Sequence, residues 1–87
     1  MSWNVILSRA AVKDVRKIKS AGLSPQVQKL MAVLEDDPFS KYPSYEKLVG
    51  NLRGYYSRRI TIQHRLIYQV IEDNRTVKVL RMWSHYE

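Results

Sequence analysis

Residues 55–83 read YYSRRITIQHRLIYQVIEDNRTVKVLRMW, and this stretch decides the fold. Its β-branched and aromatic residues fall in three runs, Tyr55 to about Thr61, His64 to Ile71 and Thr76 to about Trp83. Such side chains suit a half-buried pleated surface. Glu72-Asp73-Asn74-Arg75, between the last two runs, is rich in turn formers. The stretch therefore predicts three consecutive antiparallel strands.

Upstream, Trp3, Val5 and Leu7 alternate with Asn4 and Ile6, which predicts a first strand. Ser8 is placed to cap a helix from Arg9 to about Ser20, with Ala11, Val15 and Ile18 on one face and Gly22 at its stop. Ser24-Pro25 opens a second helix, because proline fits the first helical position. Val27, Leu30, Met31 and Leu34 then recur at the spacing of a buried helical stripe, before Glu35-Asp36-Asp37 and Pro38. Residues 38 to 54, rich in Lys, Pro, Ser, Tyr and Gly, read as an irregular connection, and connections this long often carry function. The order is β-α-α-β-β-β, an α+β class with two N-terminal helices packed on one face of a small antiparallel sheet.

With 87 residues and neither repeat nor linker, residues 1–87 are expected to form one small domain. Hydrophobic residues at 45% exclude a disordered chain, and three Gly with three Pro exclude a low-complexity one. No run approaches the roughly 20 apolar residues that cross a bilayer. Met1-Ser2-Trp3-Asn4-Val5 lacks the pattern of a secretion signal, so a soluble cytoplasmic domain without membrane contact is expected. The absence of cysteine excludes disulfides, thiolate metal sites and a thiol nucleophile. Two histidines alone give no recognised metal-ligand spacing, and Gly50 and Gly54 fit no phosphate loop, so neither metal nor cofactor is expected.

Fifteen Lys and Arg against eight Asp and Glu leave a net charge of +7, which favours polyanionic partners, nucleic acid first among them. From Pro38 to Ile71 the cations are Lys41, Lys47, Arg53, Arg58, Arg59 and Arg65, and the only acid is Glu46. A solvated face usually mixes signs. The bland reading of this lone carboxylate is a salt bridge to Lys47 or Arg53. Centring the last hairpin on Asp73 and Asn74 pairs Arg65 with about Met82 and sets His85 opposite about Ile62. Arg65 and His85 then lie about 10 Å apart at one end of the sheet. The turn around Thr61-Ile62-Gln63 sets Arg65 beside Arg59. Like charges held opposite each other are destabilising, so this pair points to a bound anion or a nearby carboxylate, and Glu46 is the candidate.

A carboxylate, a guanidinium and an imidazole around a phosphate are the parts needed to cleave RNA without metal. The carboxylate takes the 2′-hydroxyl proton, the guanidinium stabilises charge growing on the phosphate, and the imidazolium protonates the departing 5′-oxygen. DNA lacks the internal nucleophile. Of the two histidines, His64 begins a strand and reads as structural, whereas His85 lies past the last strand, where no core is left to bury it.

Glu46-Lys47-Leu48-Val49-Gly50-Asn51-Leu52-Arg53-Gly54-Tyr55-Tyr56-Ser57-Arg58-Arg59-Ile60, followed by His64-Arg65-Leu66-Ile67-Tyr68 and Ser84-His85-Tyr86, resembles the Txe/YoeB toxins of bacterial toxin–antitoxin modules, within the RelE-like superfamily. The resemblance spans the chain in the order of elements, with the specific motifs confined to residues 46 to 86. It implies a RelE-like fold similar to small microbial ribonucleases, and an endoribonuclease acting on messenger RNA in the A site of the 70S ribosome. It further implies a cognate antitoxin, whose C-terminal segment should be acidic and fold on binding. By motif, Glu46 resembles the general base, His85 the general acid, Arg65 the phosphate-stabilising arginine and Tyr86 a supporting terminal tyrosine. Arg59 matches an arginine of the strand motif, and Lys47 and Arg58 join it as supporting or RNA-binding cations. Val49 departs from the pattern, standing where the family commonly carries a lysine.

Dimeric family members make a homodimer an expectation, with Tyr42, Tyr45 and Trp83 as interface aromatics. Lys13, Arg16, Lys17 and Lys19 read either as a ribosomal-RNA contact or as a solvated helix face. Two other functions fit the fold. A gyrase-inhibiting toxin generally lacks the Glu, Arg and His set, and a non-catalytic nucleic-acid-binding repressor partner would not need His85.

Overall fold

The computed structural model describes residues 3–42, 44–48 and 54–83. The alternation at the N-terminus becomes β1 (Asn4–Leu7), and Ser8 ends it. The Ser8 Oγ accepts from the Ala11 amide at 3.1 Å and donates to the Leu80 carbonyl at 2.8 Å. One hydroxyl thus starts α1 (Arg9–Ser20) and ties it to the far end of the chain. Gly22 follows at φ +73°, the left-handed conformation that glycine adopts without a Cβ clash. Helix α2 (Ser24–Asp36) has its proline in the first turn. Its Val27, Leu30 and Leu34 are buried and Met31 partly so.

The sheet contains β2 (Tyr45–Lys47), β3 (Tyr55–Arg59), β4 (Arg65–Ile71) and β5 (Thr76–Arg81) beside β1, in the order β1-β5-β4-β3-β2. A 3₁₀ turn over Glu72–Asn74, closed by Arg75 at φ 50°, links β4 to β5. The helices pack on one face. Ala11, Ile18, Leu30 and Leu34 meet Leu66, Tyr68, Val77 and Val79 in a single apolar cluster. Among the described residues, no helix is long and apolar enough to cross a membrane.

The α+β architecture holds, with two corrections. The sheet has five strands, because β2 forms inside the segment read as irregular. Three residues are too few to show an alternation, and pairing is supplied by the otherwise open edge of β3. The sheet is also mixed rather than antiparallel, since β1 runs parallel to β5 from Asn4↔Thr76 to Leu7↔Val79. That pairing joins opposite ends of the sequence, which no local pattern reports.

The β4–β5 register follows the predicted centre from Ile71↔Thr76 to Tyr68↔Val79. It then shifts by one residue, to Ile67↔Arg81, leaving Leu80 as a bulge. The ladder ends there, so the predicted pairing of Arg65 with Met82 does not form and β5 stops before Trp83. The predicted pairing of His85 with Ile62 lies outside the described residues.

Candidate active site

The β2–β3–β4 registers decide which side chains share a face. Glu46 stands opposite Ser57, Lys47 opposite Tyr56 and Arg59 opposite Arg65. Because side chains alternate along a strand, Glu46, Ser57, Arg59 and Arg65 lie on the face away from the helices. With Ser44 they line an open cleft of about 210 Å³. Arg65 Nη1 donates to Glu46 Oε1 at 2.7 Å and to Ser57 Oγ at 3.4 Å. The carboxylate that offsets the facing arginines is therefore Glu46, and its partner is Arg65 rather than Lys47.

The balance within this ion pair is uneven. The Glu46 side chain is 66% exposed and that of Arg65 20%. A pair this wet contributes about 0–1 kcal/mol. An anion entering the cleft can therefore take the Glu46 position on Arg65 at little cost, while Ser57 continues to orient the guanidinium.

Two expected RNA-binding cations are placed elsewhere. Arg58 is a correction: it is only 1% exposed. Its Nε donates to Tyr68 Oη at 3.2 Å, and its Nη2 donates to the carbonyls of Pro38 at 2.8 Å and Ser40 at 2.9 Å. Its guanidinium stands 5.1 Å from the Tyr45 ring centre. The Tyr68 hydroxyl also donates to the Pro38 carbonyl, at 2.9 Å. Burial pushes that hydroxyl up to about 12, which keeps it a neutral donor. Arg58 thus pins the turn leading from α2 toward β2 and supports Glu46 from beneath the sheet. Lys47 is exposed, but it points to the face opposite Glu46 and does not line the cleft.

His64 is buried, with its ring stacked on Trp83 at 3.9 Å and 21°. Of the interface aromatics, Tyr42 is exposed. Tyr45 packs edge-on against Phe39 and Tyr56, and Trp83 is half-buried against His64. Lys13, Arg16, Lys17 and Lys19 are all exposed on α1. His85, Tyr86, Val49 and Arg53 lie outside the described residues.

Sequence reasoning passed over Ser57 and Asp14. Ser57 was recoverable, because it shares the β3 alternation with Arg59. Asp14 is 2% exposed on the core side of α1, with its carboxylate held by Arg81 and by the Met82 and Trp83 amides.

Residues 12–86 match the family model described as YoeB-like toxin of bacterial type II toxin-antitoxin system. The chain belongs to this family. It is 39% identical over 61 residues to Toxin YoeB of Mycobacterium bovis, covering 70% of this chain and 69% of that protein. The YoeB/ParE toxin from Agrobacterium tumefaciens superposes with a TM-score of 0.86 at 26% identity, covering 95% of this chain and 99% of that one. A YoeB-YefM complex and a YoeB dimer, both from Staphylococcus aureus, superpose at 0.78 and 0.82. Each is 28% identical to this chain, covering 99% of it and all of the other. As a YoeB-family protein, the chain is the toxin of a toxin–antitoxin module.

Proposed function

We propose that this YoeB-family toxin is a ribosome-dependent endoribonuclease that cuts messenger RNA in the A site through the 2′-hydroxyl, and so stops translation. The observation that carries the reading is the Glu46–Arg65 pair at 2.7 Å, held in the open cleft opposite Arg59. A phosphate entering the cleft displaces Glu46 from Arg65, and the two arginines hold its non-bridging oxygens. The released carboxylate takes the 2′-hydroxyl proton, and the 2′-oxygen attacks the adjacent phosphorus. Charge on the equatorial oxygens is stabilised by Arg65. The His85 imidazolium gives its proton to the departing 5′-oxygen, leaving a 2′,3′-cyclic phosphate and a 5′-hydroxyl. Tyr86 supports the acid, and Arg59 and the wider basic surface bind RNA.

The partners in this reading are the 70S ribosome with its message, in the cytoplasm, and a cognate antitoxin whose acidic C-terminal segment meets the +7 surface. The YoeB-YefM complex and the YoeB dimer support an antitoxin partner and a homodimer. The test uses programmed ribosomes and two messages, one with a single 2′-deoxynucleotide at the cut position. The all-ribose message should yield a 2′,3′-cyclic phosphate end and the deoxy message should survive. Equal cleavage of both would overturn the mechanism.

A further inference from the structure

Asp14 is a carboxylate where the helix pattern calls for an apolar side chain. It lies between Ala11 and Ile18 on the buried side of α1. A buried charge costs several kcal/mol unless its oxygens are fully hydrogen-bonded. Here four donors converge. Arg81 Nε at 2.9 Å, the Met82 amide at 3.0 Å and the Trp83 amide at 3.2 Å reach Oδ2, and Arg81 Nη2 reaches Oδ1 at 3.3 Å. Consecutive amides aimed at one oxygen make an anion-binding concavity in the backbone. Arg81 is 46% exposed, so its pair with Asp14 is half-wet and adds little, and stability alone is a weak reason for a carboxylate here. What the carboxylate supplies is direction: it fixes the course of the chain as it leaves β5 just past the Leu80 bulge.

Trp83 is gripped a second time, by the ring of His64, the residue next to Arg65. The chain at Trp83 is therefore tied both to α1 and to the start of β4, where the phosphate-facing arginine sits. His85 follows two residues later.

We propose that Asp14 is a positioning residue for the cleavage reaction: by clamping the backbone at Met82 and Trp83, it sets the point from which His85 reaches the leaving oxygen. The inference rests on the ribonuclease reading above. Its test compares two messages on programmed ribosomes under single-turnover conditions, one with the natural 5′-oxygen at the cut and one with a 5′-bridging sulphur. Sulphur departs as a thiolate without needing a proton, so a variant that has lost only acid delivery cuts it normally.

Asp14→Asn should slow the oxygen message about 10–100-fold at saturation, the scale of a displaced catalytic group. Its KM and its rate on the sulphur message should stay within about threefold of wild type. Asp14→Asn combined with His85→Ala should be no slower than His85→Ala alone, because the two act as one unit. Arg81→Met, which leaves both amide bonds to Asp14 in place, should show a smaller loss confined to the oxygen message and covers the case in which Asp14→Asn folds poorly. Equal losses on both messages, or additive losses in the double variant, would overturn the proposal and leave Asp14 a purely structural residue. A wild-type protein that cuts neither message would instead overturn the ribonuclease reading on which the proposal stands.

Discussion

Arg58 and Arg59 are neighbours with the same chemistry, and the pleat of β3 sends them to opposite faces. Arg58→Ala removes the donors to Pro38, Ser40 and Tyr68. The Pro38 carbonyl keeps the Tyr68 hydroxyl as a donor, so two acceptors lose theirs; at about 1–3 kcal/mol each, the loss should be about 2–6 kcal/mol, read as a lower urea midpoint. Arg59→Ala, on the exposed side, should leave stability within about 0.5 kcal/mol and weaken cleavage instead. If Arg58→Ala proved as stable as Arg59→Ala, the buried network would not be holding the turn. The grouping of Glu46, Arg59 and Arg65 was legible in the sequence, because a lone acid among cations and two arginines facing across a turn both demand a partner. The burial of Arg58 was not, since it depends on the Pro38 and Ser40 carbonyls, which only tertiary contact brings to β3.

At the scale of elements, the packing of α1 against the end of β5 makes stability depend on pH. Burial by itself would raise the Asp14 carboxyl, but hydrogen bonds from Arg81 and the Met82 and Trp83 amides outweigh it and hold the group below its usual range. A carboxyl depressed in the folded state is protonated first in the unfolded chain. The stabilisation is therefore complete above the ordinary carboxylate pKa of about 4 and is lost as pH falls through the folded value. Urea midpoints should hold steady from pH 7 to about 5 and drop below about 4, and Asp14→Asn should flatten that drop. An unchanged acid limb in the variant would remove Asp14 as its source. Ser8→Ala should cost about 1–2 kcal/mol, since it removes both the α1 cap and the bond to Leu80, measured by thermal melting. Both helices were legible, α1 from its Ser8 cap, α2 from its proline in the first turn, and each from its apolar stripe. Strand β2 and the Leu80 bulge were not: the first is too short to show a period, and the second appears only when β5 is laid against β4.

For the whole molecule, the order of helices and strands followed from sequence except for β2, while the parallel pairing of β1 with β5 required the closed fold. The net charge of +7 acts at this scale too. Lys13, Arg16, Lys17 and Lys19 are exposed on the helical side, away from the cleft face. Changing all four to Gln should weaken ribosome binding and lower its salt slope by about one for each phosphate no longer neutralised, with the saturating cleavage rate retained. An unchanged slope would make this a solvated face.

Primer extension on stalled ribosomes mixed with purified toxin reads directly whether the cleft cuts A-site messenger RNA. One discrete new end should appear at the A-site codon, reduced about 10²–10⁴-fold in rate by Glu46→Ala or His85→Ala. Intact message beside tight ribosome binding, or a cut that survives both substitutions, would contradict this reading.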